Sequence, residues 1–167
     1  MPQRLEEQVG LLLLREGLTI GLAESTTGGL MGHLLNNVPG SSKYFVGGVV
    51  AYANAPKRRI LGVAEATLKE HGSVSAEAAL AMARGARAAL GTDLGLAETG
   101  IAGPTGGGGG KPIGMFYIAL VGPEGFERVE ERRWNDTDRV RNKSRTARAA
   151  LRMVRDYLSS RTGGRKA

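Results

Sequence analysis

One stretch decides the fold: residues 18–29, which read LTIGLAESTTGG. Leu18 to Ala23 is a short run dominated by apolar residues and predicts a buried strand. It continues into the polar, glycine-rich segment Glu24 to Gly29, which turns the chain and opens a helix over roughly Gly29 to Asn37. A buried strand that passes through such a turn into a helix is the repeating unit of α/β folds. We therefore expect a largely parallel sheet covered by helices.

The pattern continues outward along the chain. Helices are predicted from Leu5 to a stop at Gly17, briefly after Pro56, from Ser75 to Leu90, and from Asp136 to Ser160. Further strands are predicted over Tyr44–Ala53, Leu94–Thr99, Ile113–Val121 and Phe126–Trp134, the last two joined by a hairpin turn. This order predicts a three-layer α/β/α sandwich with a mostly parallel mixed sheet. We expect a single domain over residues 1–160 and a basic, disordered tail over 161–167.

Composition excludes several kinds of site. The 167 residues include no cysteine, which excludes disulfides, zinc–thiolate sites and a cysteine nucleophile. His33 and His71 are the only histidines, which gives little support to a Ser-His-Asp triad or to a metal site built of several histidines. Glu6 and Glu7 precede the short apolar run Leu11–Leu14, which fits neither a signal peptide nor a membrane span. We expect a cytoplasmic protein with no membrane contact and no metal site of the zinc–thiolate or multi-histidine kind.

The net charge of +7 is concentrated near the end of the chain, where residues 128–167 hold 13 Lys and Arg against 5 Asp and Glu. One interpretation is a solvated helix face, and the other is a surface for an anionic ligand or nucleic acid. No DNA-binding motif is present and aromatic residues make up only 5% of the sequence, so we favour the solvated face. Nucleic acid is therefore not the expected partner.

Two glycine-rich segments, Glu24–Gly29 and Gly100–Gly110, follow predicted strands. Ligands of α/β sheets bind beyond the carboxyl ends of the strands, and glycine lets backbone N–H groups approach an anion. The sequence therefore predicts a phosphate or carboxylate pocket there. Gly110-Lys111-Pro112 does not complete a Walker A loop, and residues 106–112 do not complete a dinucleotide-binding pattern. Nucleoside triphosphate hydrolysis and NAD-dependent redox chemistry are thus unsupported.

Without cysteine, a covalent mechanism would use a hydroxyl nucleophile with a lysine base and a tyrosine to relay the proton. Ser42, Tyr52 and Lys57 flank one predicted strand, but a straight strand from Tyr44 to Tyr52 spans roughly 27 Å. Ser42 and Lys57 would therefore meet only if the strand bends, for instance at Gly47-Gly48, or if one of them comes from a neighbouring subunit. Spacing alone favours structural roles for all three.

Six motifs occur in order along the chain: AESTTGG at 23–29, GSS at 40–42 with Tyr44-Phe45, GVVAYAN at 48–54 with Lys57, LGV at 61–63, HGSVS at 71–75, and TGIAGP at 99–104 with KPIG at 111–114. With these motifs the sequence resembles the C-terminal domain of the competence/damage-inducible protein CinA over about Leu5 to Leu158. Stand-alone members of that family are nicotinamide-nucleotide amidases (PncC type).

The resemblance implies hydrolysis of nicotinamide mononucleotide to nicotinate mononucleotide and ammonia, in pyridine-nucleotide salvage, without a cofactor. It implies Ser42 as nucleophile, Lys57 as base and Tyr52 as the residue that relays the proton or holds Lys57; Ser41 is the competing hydroxyl. It assigns nucleotide binding to Glu24, Ser25, Thr27, Gly28, Gly29, Gly100, Ala102 and Gly103, with Arg141 pairing with the phosphate. A homo-oligomer, dimer or higher, is also implied.

The sequence departs from the family pattern at several points, and two other classes of function remain open. Thr26 stands where the family usually has Cys, and Thr105 is followed by five glycines. The large N-terminal domain of full-length CinA proteins is absent, so its activity is not expected. The alternatives are a non-catalytic nucleotide-binding module and a nucleic-acid-binding protein linked to competence or DNA damage.

Overall fold

The computed structural model describes residues 3–106 and 109–163. Its helices are α1 (Leu5–Glu16), α2 (Leu30–Asn36), α3 (Asn54–Arg59), α4 (Glu65–His71), α5 (Ala76–Leu90) and α6 (Arg139–Gly163). Its strands are β1 (Ile20–Glu24), β2 (Phe45–Val50), β3 (Leu94–Gly100), β4 (Met115–Val121) and β5 (Glu127–Arg133). A short 3₁₀ turn, Ser41–Lys43, precedes β2.

The five strands form one sheet in the order β2-β1-β3-β4-β5. β1 pairs in parallel with β2 and β3, whereas β4 runs antiparallel to both of its neighbours, β3 and β5. Four of the five strands therefore point the same way, and only the hairpin strand β4 is reversed. The predicted mixed, mostly parallel sheet is confirmed.

Helices cover both faces of this sheet. One core joins α1, α2 and α6 to the strands through residues such as Leu13, Met31 and Leu151. The other lies beneath α5 and is built mainly of small residues, with Met82 and Leu61 among the larger ones. All five residues of β1 are buried, because helices cover both of its faces. This three-layer arrangement is the predicted sandwich.

Local chemistry explains several boundaries of the helices. Gly17 ends α1 in the left-handed conformation, with φ of 65°, and the Ser75 hydroxyl accepts a hydrogen bond from the Ala78 N–H at the start of α5. α4 was not predicted. α6 continues to Gly163, which corrects the predicted tail: residues 161–163 are helical, and 164–167 lie outside the described residues. No helix in the described ranges is long and apolar enough to cross a membrane.

The sheet places the candidate residues at one edge or the other. Glu24 and Val50 are paired at the carboxyl ends of β1 and β2, and Glu24 is also paired with Glu98 near the end of β3. The segments that follow these three strands therefore converge at one edge of the sheet. Ser42 precedes β2 and lies toward the opposite edge.

Candidate active site

Lys57 lies where the converging segments meet. It belongs to α3, the short helix that follows β2, and only 1% of it is exposed. Its Nζ lies 2.7 Å from the carbonyl oxygen of Ala51, 3.3 Å from that of Tyr52 and 2.9 Å from Ser25 Oγ. Lysine is almost never fully buried in proteins, so a buried lysine with three polar contacts is a strong candidate for a functional residue.

The protonation of Lys57 follows from these surroundings. Burial lowers the pKa of the Lys57 ammonium, and the nearby Glu98 carboxyl opposes that shift. A neutral amine has two hydrogens and one lone pair. If the hydrogens go to the carbonyls of Ala51 and Tyr52, the lone pair faces the Ser25 hydroxyl and can accept its proton. The contact therefore has the geometry of a base beside a nucleophile.

Ser25 is the first residue after β1, and its neighbours fix its position. Its backbone N–H donates to Glu98 Oε1 at 2.6 Å, and the Thr26 hydroxyl donates to the carbonyl of Gly100 at 2.9 Å. The loop after β1 is thus tied to β3 on both sides of the Ser25 side chain. Ser25 is 6% exposed, so the hydroxyl is sheltered but lines a cleft.

Two buried carboxyl groups take up the N–H groups that the sequence assigns to a phosphate. Glu98 Oε1 accepts from the backbone of Ser25 and Thr27, and Glu24 accepts from Gly29, Met31 and Gly32. These donors are therefore already satisfied within the protein. Within the segment Glu24–Gly29, the N–H groups of Ser25, Thr27 and Gly29 therefore hold buried carboxyl groups of the protein itself and are not free to form an anion cradle.

The cleft beside Ser25 and Lys57 has a volume of about 280 Å³. One wall of the cleft is formed by the end of β3 and the residues that follow it. The Thr99 hydroxyl fixes this wall by donating to the carbonyl of Ser73. The lining comprises Ser25, Thr26, Tyr52, Lys57, Ser73, Val74, Thr99, Gly100, Ile101, Ala102, Thr105, Gly106 and Arg139. Of the predicted binding residues, Ser25, Gly100 and Ala102 line this cleft; Thr27, Gly28 and Gly29 line a separate depression beside α6.

The arginine at the mouth of the cleft is Arg139. Its guanidinium donates to the Tyr52 hydroxyl at 2.8 Å and to the carbonyl of Gly103 at 3.0 Å. The predicted Arg141 lies outside the cleft lining and pairs with Asp136 and Asp138. Residues two apart on a helix project in nearly opposite directions, which explains why only one of the two arginines reaches the cleft.

The position of Ser42 corrects the predicted triad. Ser42 is exposed in the 3₁₀ turn before β2, whereas Lys57 follows the other end of that strand. Six residues of strand separate the two ends by about 17 Å. β2 stays paired with β1 from Phe45 to Val50, with one register irregularity between Phe45 and Gly47, so within one chain Ser42 and Lys57 lie at opposite ends of the strand. Tyr52, by contrast, lies at the cleft, with its carbonyl on Lys57 and its hydroxyl on Arg139.

Sequence reasoning placed Ser25 among the binding residues and did not single out Arg139. A signal for Ser25 was present, since it follows a buried strand whose parallel neighbour leads into Tyr52 and Lys57. Residues that follow the carboxyl ends of adjacent parallel strands meet at one edge of the sheet. The order of the strands was needed to apply this rule.

The chain is similar to known proteins over nearly its whole length. The chain is 48% identical over 155 residues to a CinA-like protein of Salinibacter ruber and 49% identical over 160 residues to one of Citrifermentans bemidjiense. These matches cover 93% and 95% of the chain but only 37% and 38% of the relatives, so the chain spans less than two fifths of their length.

Solved structures share the fold at lower sequence identity. The competence/damage inducible protein CihA from Agrobacterium tumefaciens is 37% identical with a TM-score of 0.87, over 95% of this chain and 98% of that one. The competence damage-inducible protein A from Klebsiella pneumoniae is 29% identical with a TM-score of 0.89, over 93% and 95% of the two chains. The CinA C-terminal domain model matches residues 2–158, and the chain therefore belongs to the CinA C-terminal domain family.

Proposed function

We propose that this chain is an amidase that hydrolyses the carboxamide of nicotinamide mononucleotide, with Ser25 as the nucleophile and Lys57 as the general base. The observation that carries the proposal is the 2.9 Å contact between Ser25 Oγ and the buried Lys57 Nζ, at the wall of a cleft. A hydroxyl is a poor nucleophile until a base removes its proton, and a desolvated lysine can serve as that base near neutral pH.

The reaction follows as two acyl transfers. Ser25 Oγ attacks the amide carbon while its proton passes to Lys57 Nζ. The tetrahedral intermediate collapses when Lys57 returns that proton to the leaving nitrogen; the C–N bond breaks, and ammonia departs. Lys57 then takes a proton from water, whose oxygen attacks the Ser25 ester; as the ester C–O bond breaks, Lys57 returns that proton to Ser25 Oγ. The acid product loses its own proton to ammonia or to solvent and leaves as the carboxylate. Each proton that Lys57 accepts is given back within the cycle, so the enzyme ends as it began.

Substrate identity rests on the family resemblance and on the charge at the mouth of the cleft. The Arg139 guanidinium lines the cleft beside Tyr52 and presents a fixed positive charge. A guanidinium pairs well with a phosphate because it offers parallel N–H donors. In this proposal Arg139 pairs with the phosphate, the role that the resemblance implies for Arg141. Tyr52 lines the cleft, and its hydroxyl accepts a hydrogen bond from Arg139.

The test is ammonia release from nicotinamide mononucleotide by purified protein and by two serine variants. Ser25→Ala should lower kcat by about 10³-fold or more, because the group that forms the covalent intermediate is gone. Ser42→Ala is the matched control, an equal change at the exposed serine, and should keep kcat within about threefold. An active Ser25→Ala variant, or no ammonia from the unmodified protein, would refute the proposal.

A further inference from the structure

Glu98 is a fully buried carboxyl group whose position the reaction above does not explain. Its exposed fraction is 0%, and its Oε1 receives the backbone N–H groups of Ser25 and Thr27 at 2.6 and 2.9 Å. Its Oε2 is buried and has no hydrogen-bond partner among the described residues. A negative charge on a buried oxygen without a partner would cost free energy of folding. The hydrogen bonds that Oε1 makes must therefore account for the presence of this carboxyl group.

A single hydroxyl group links Glu98 to Glu24. The two residues are register partners on the parallel strands β3 and β1, and Thr27 Oγ lies 2.8 Å from Glu98 Oε1 and 2.7 Å from Glu24 Oε2. Thr27 Oγ carries one hydrogen. If both carboxyl groups were ionised, only one of these short contacts would contain a hydrogen, and the other would set lone pairs against a negative oxygen.

The proton that resolves this conflict belongs on Glu98 Oε1, where it can be donated to Thr27 Oγ while Thr27 Oγ donates to Glu24 Oε2. Glu24 already accepts three backbone N–H groups at the start of α2, from Gly29, Met31 and Gly32. Glu98 lies wholly in the interior, where burial raises the pKa of its carboxyl group by more than the hydrogen bonds from Thr27 and Ser25 lower it. The ammonium form of Lys57 would favour loss of the Glu98 proton and the Glu24 charge favours keeping it, so these are the two groups that bias its titration.

We infer that Glu98 is a positioning residue: uncharged and linked to Glu24 through the Thr27 hydroxyl, it holds the backbone of residues 25–27 so that Ser25 Oγ faces Lys57 Nζ. Loss of its proton sets two carboxylates against each other across Thr27 and loosens the loop that carries the nucleophile. This inference rests on the proposed roles of Ser25 and Lys57, but its structural half concerns the loop alone.

The test compares Glu98→Gln with Glu98→Leu. Glutamine cannot ionise and keeps a carbonyl acceptor for the two N–H groups, although it gives up the hydrogen directed at Thr27 Oγ; without the second negative charge, its kcat at neutral pH should stay within about threefold of the unmodified protein. Leucine removes the acceptor and should lower kcat at least about tenfold. The decline of kcat at alkaline pH, expected for the unmodified protein, should be absent in Glu98→Gln. An unchanged alkaline decline in Glu98→Gln, or full activity in Glu98→Leu, would overturn the inference.

A second readout needs no substrate, and it separates this inference from the amidase proposal. A carboxyl whose pKa is raised on folding stabilises the fold at low pH and loses that contribution as the pH rises through the folded-state value. Urea unfolding should therefore show stability falling with rising pH in the unmodified protein, and a smaller fall in Glu98→Gln. Equal pH dependence in the two proteins refutes the proton on Glu98, whether or not ammonia is released.

Discussion

At the scale of single residues, the candidate site is decided by which side chains the cleft contains. Ser25 and Lys57 line the cleft together with Tyr52 and Arg139, whereas Arg141, two residues along α6 from Arg139, lies outside the lining and pairs with Asp136. Neighbouring residues of one segment can therefore play different parts, because their side chains point in different directions.

Arg139 provides a prediction at this scale. Arg139→Ala should raise KM for nicotinamide mononucleotide by about 10- to 100-fold, because a charge-assisted hydrogen bond to phosphate contributes about 1.5–3 kcal/mol. The KM for nicotinamide riboside, which has no phosphate, should change little. Arg141→Ala is the matched control and should leave both values near those of the unmodified protein. Steady-state kinetics on the two substrates provide the measurement, and equal losses on both would remove the phosphate role from Arg139.

At the scale of elements, close packing between α5 and the segment after α3 holds Lys57's helix in place. A Cβ atom on Gly85 of α5 would lie 1.9 Å from the backbone oxygen of Leu61. Backbone atoms cannot retreat as a flexible side chain can, so α5 and residues near Leu61 would have to separate. The small residue at this position therefore sets the distance between the two elements.

Gly85→Ala should lower the free energy of unfolding by about 2 kcal/mol or more, since the clash outweighs the better helix propensity of alanine. The comparison variant is Gly32→Ala in α2, where the nearest atoms to an added Cβ are 3.4 Å away. That change should be neutral or stabilising by up to about 1 kcal/mol. Urea denaturation of both variants decides the matter; similar stabilities would show that the Gly85 contact relaxes freely.

Most elements were predictable because their signals are local. The glycine after α1, the Ser75 cap of α5 and the apolar runs of β1 and β3 all lie within a few residues of the boundary that they mark. α4 was not predicted because it lacks such local signals: none of its residues is buried and no side chain caps its start. The contact of Ser25 with Lys57 joins residues 32 positions apart, and only the pairing of β1 with β2 brings them together.

At the scale of the whole molecule, one chain supplies both Ser25 and Lys57 to the cleft. The sequence left open a site shared between subunits, because Ser42 and Lys57 are separated by a strand. Ser25 and Lys57 remove the need for a shared site, since one chain supplies both residues at hydrogen-bond distance. Homo-oligomer formation, if it occurs, is then independent of the assembly of this pair.

A complementation experiment tests this independence. Inactive Ser25→Ala and Lys57→Ala chains, co-expressed so that they assemble together, should release no more ammonia than either variant alone. A site built from two chains would instead regain activity, because some mixed sites would contain both native residues. Recovery of a substantial fraction of native activity would therefore show that Ser25 of one chain works with Lys57 of another.

The most direct measurement locates the covalent intermediate. The protein is mixed with nicotinamide mononucleotide, quenched in acid within the first turnovers, digested and analysed by mass spectrometry for the acyl group. We predict the nucleotide ester on the peptide that contains Ser25, with no adduct on that peptide in Ser25→Ala. An ester on Ser42, or on any residue other than Ser25, would contradict the mechanism proposed for this cleft.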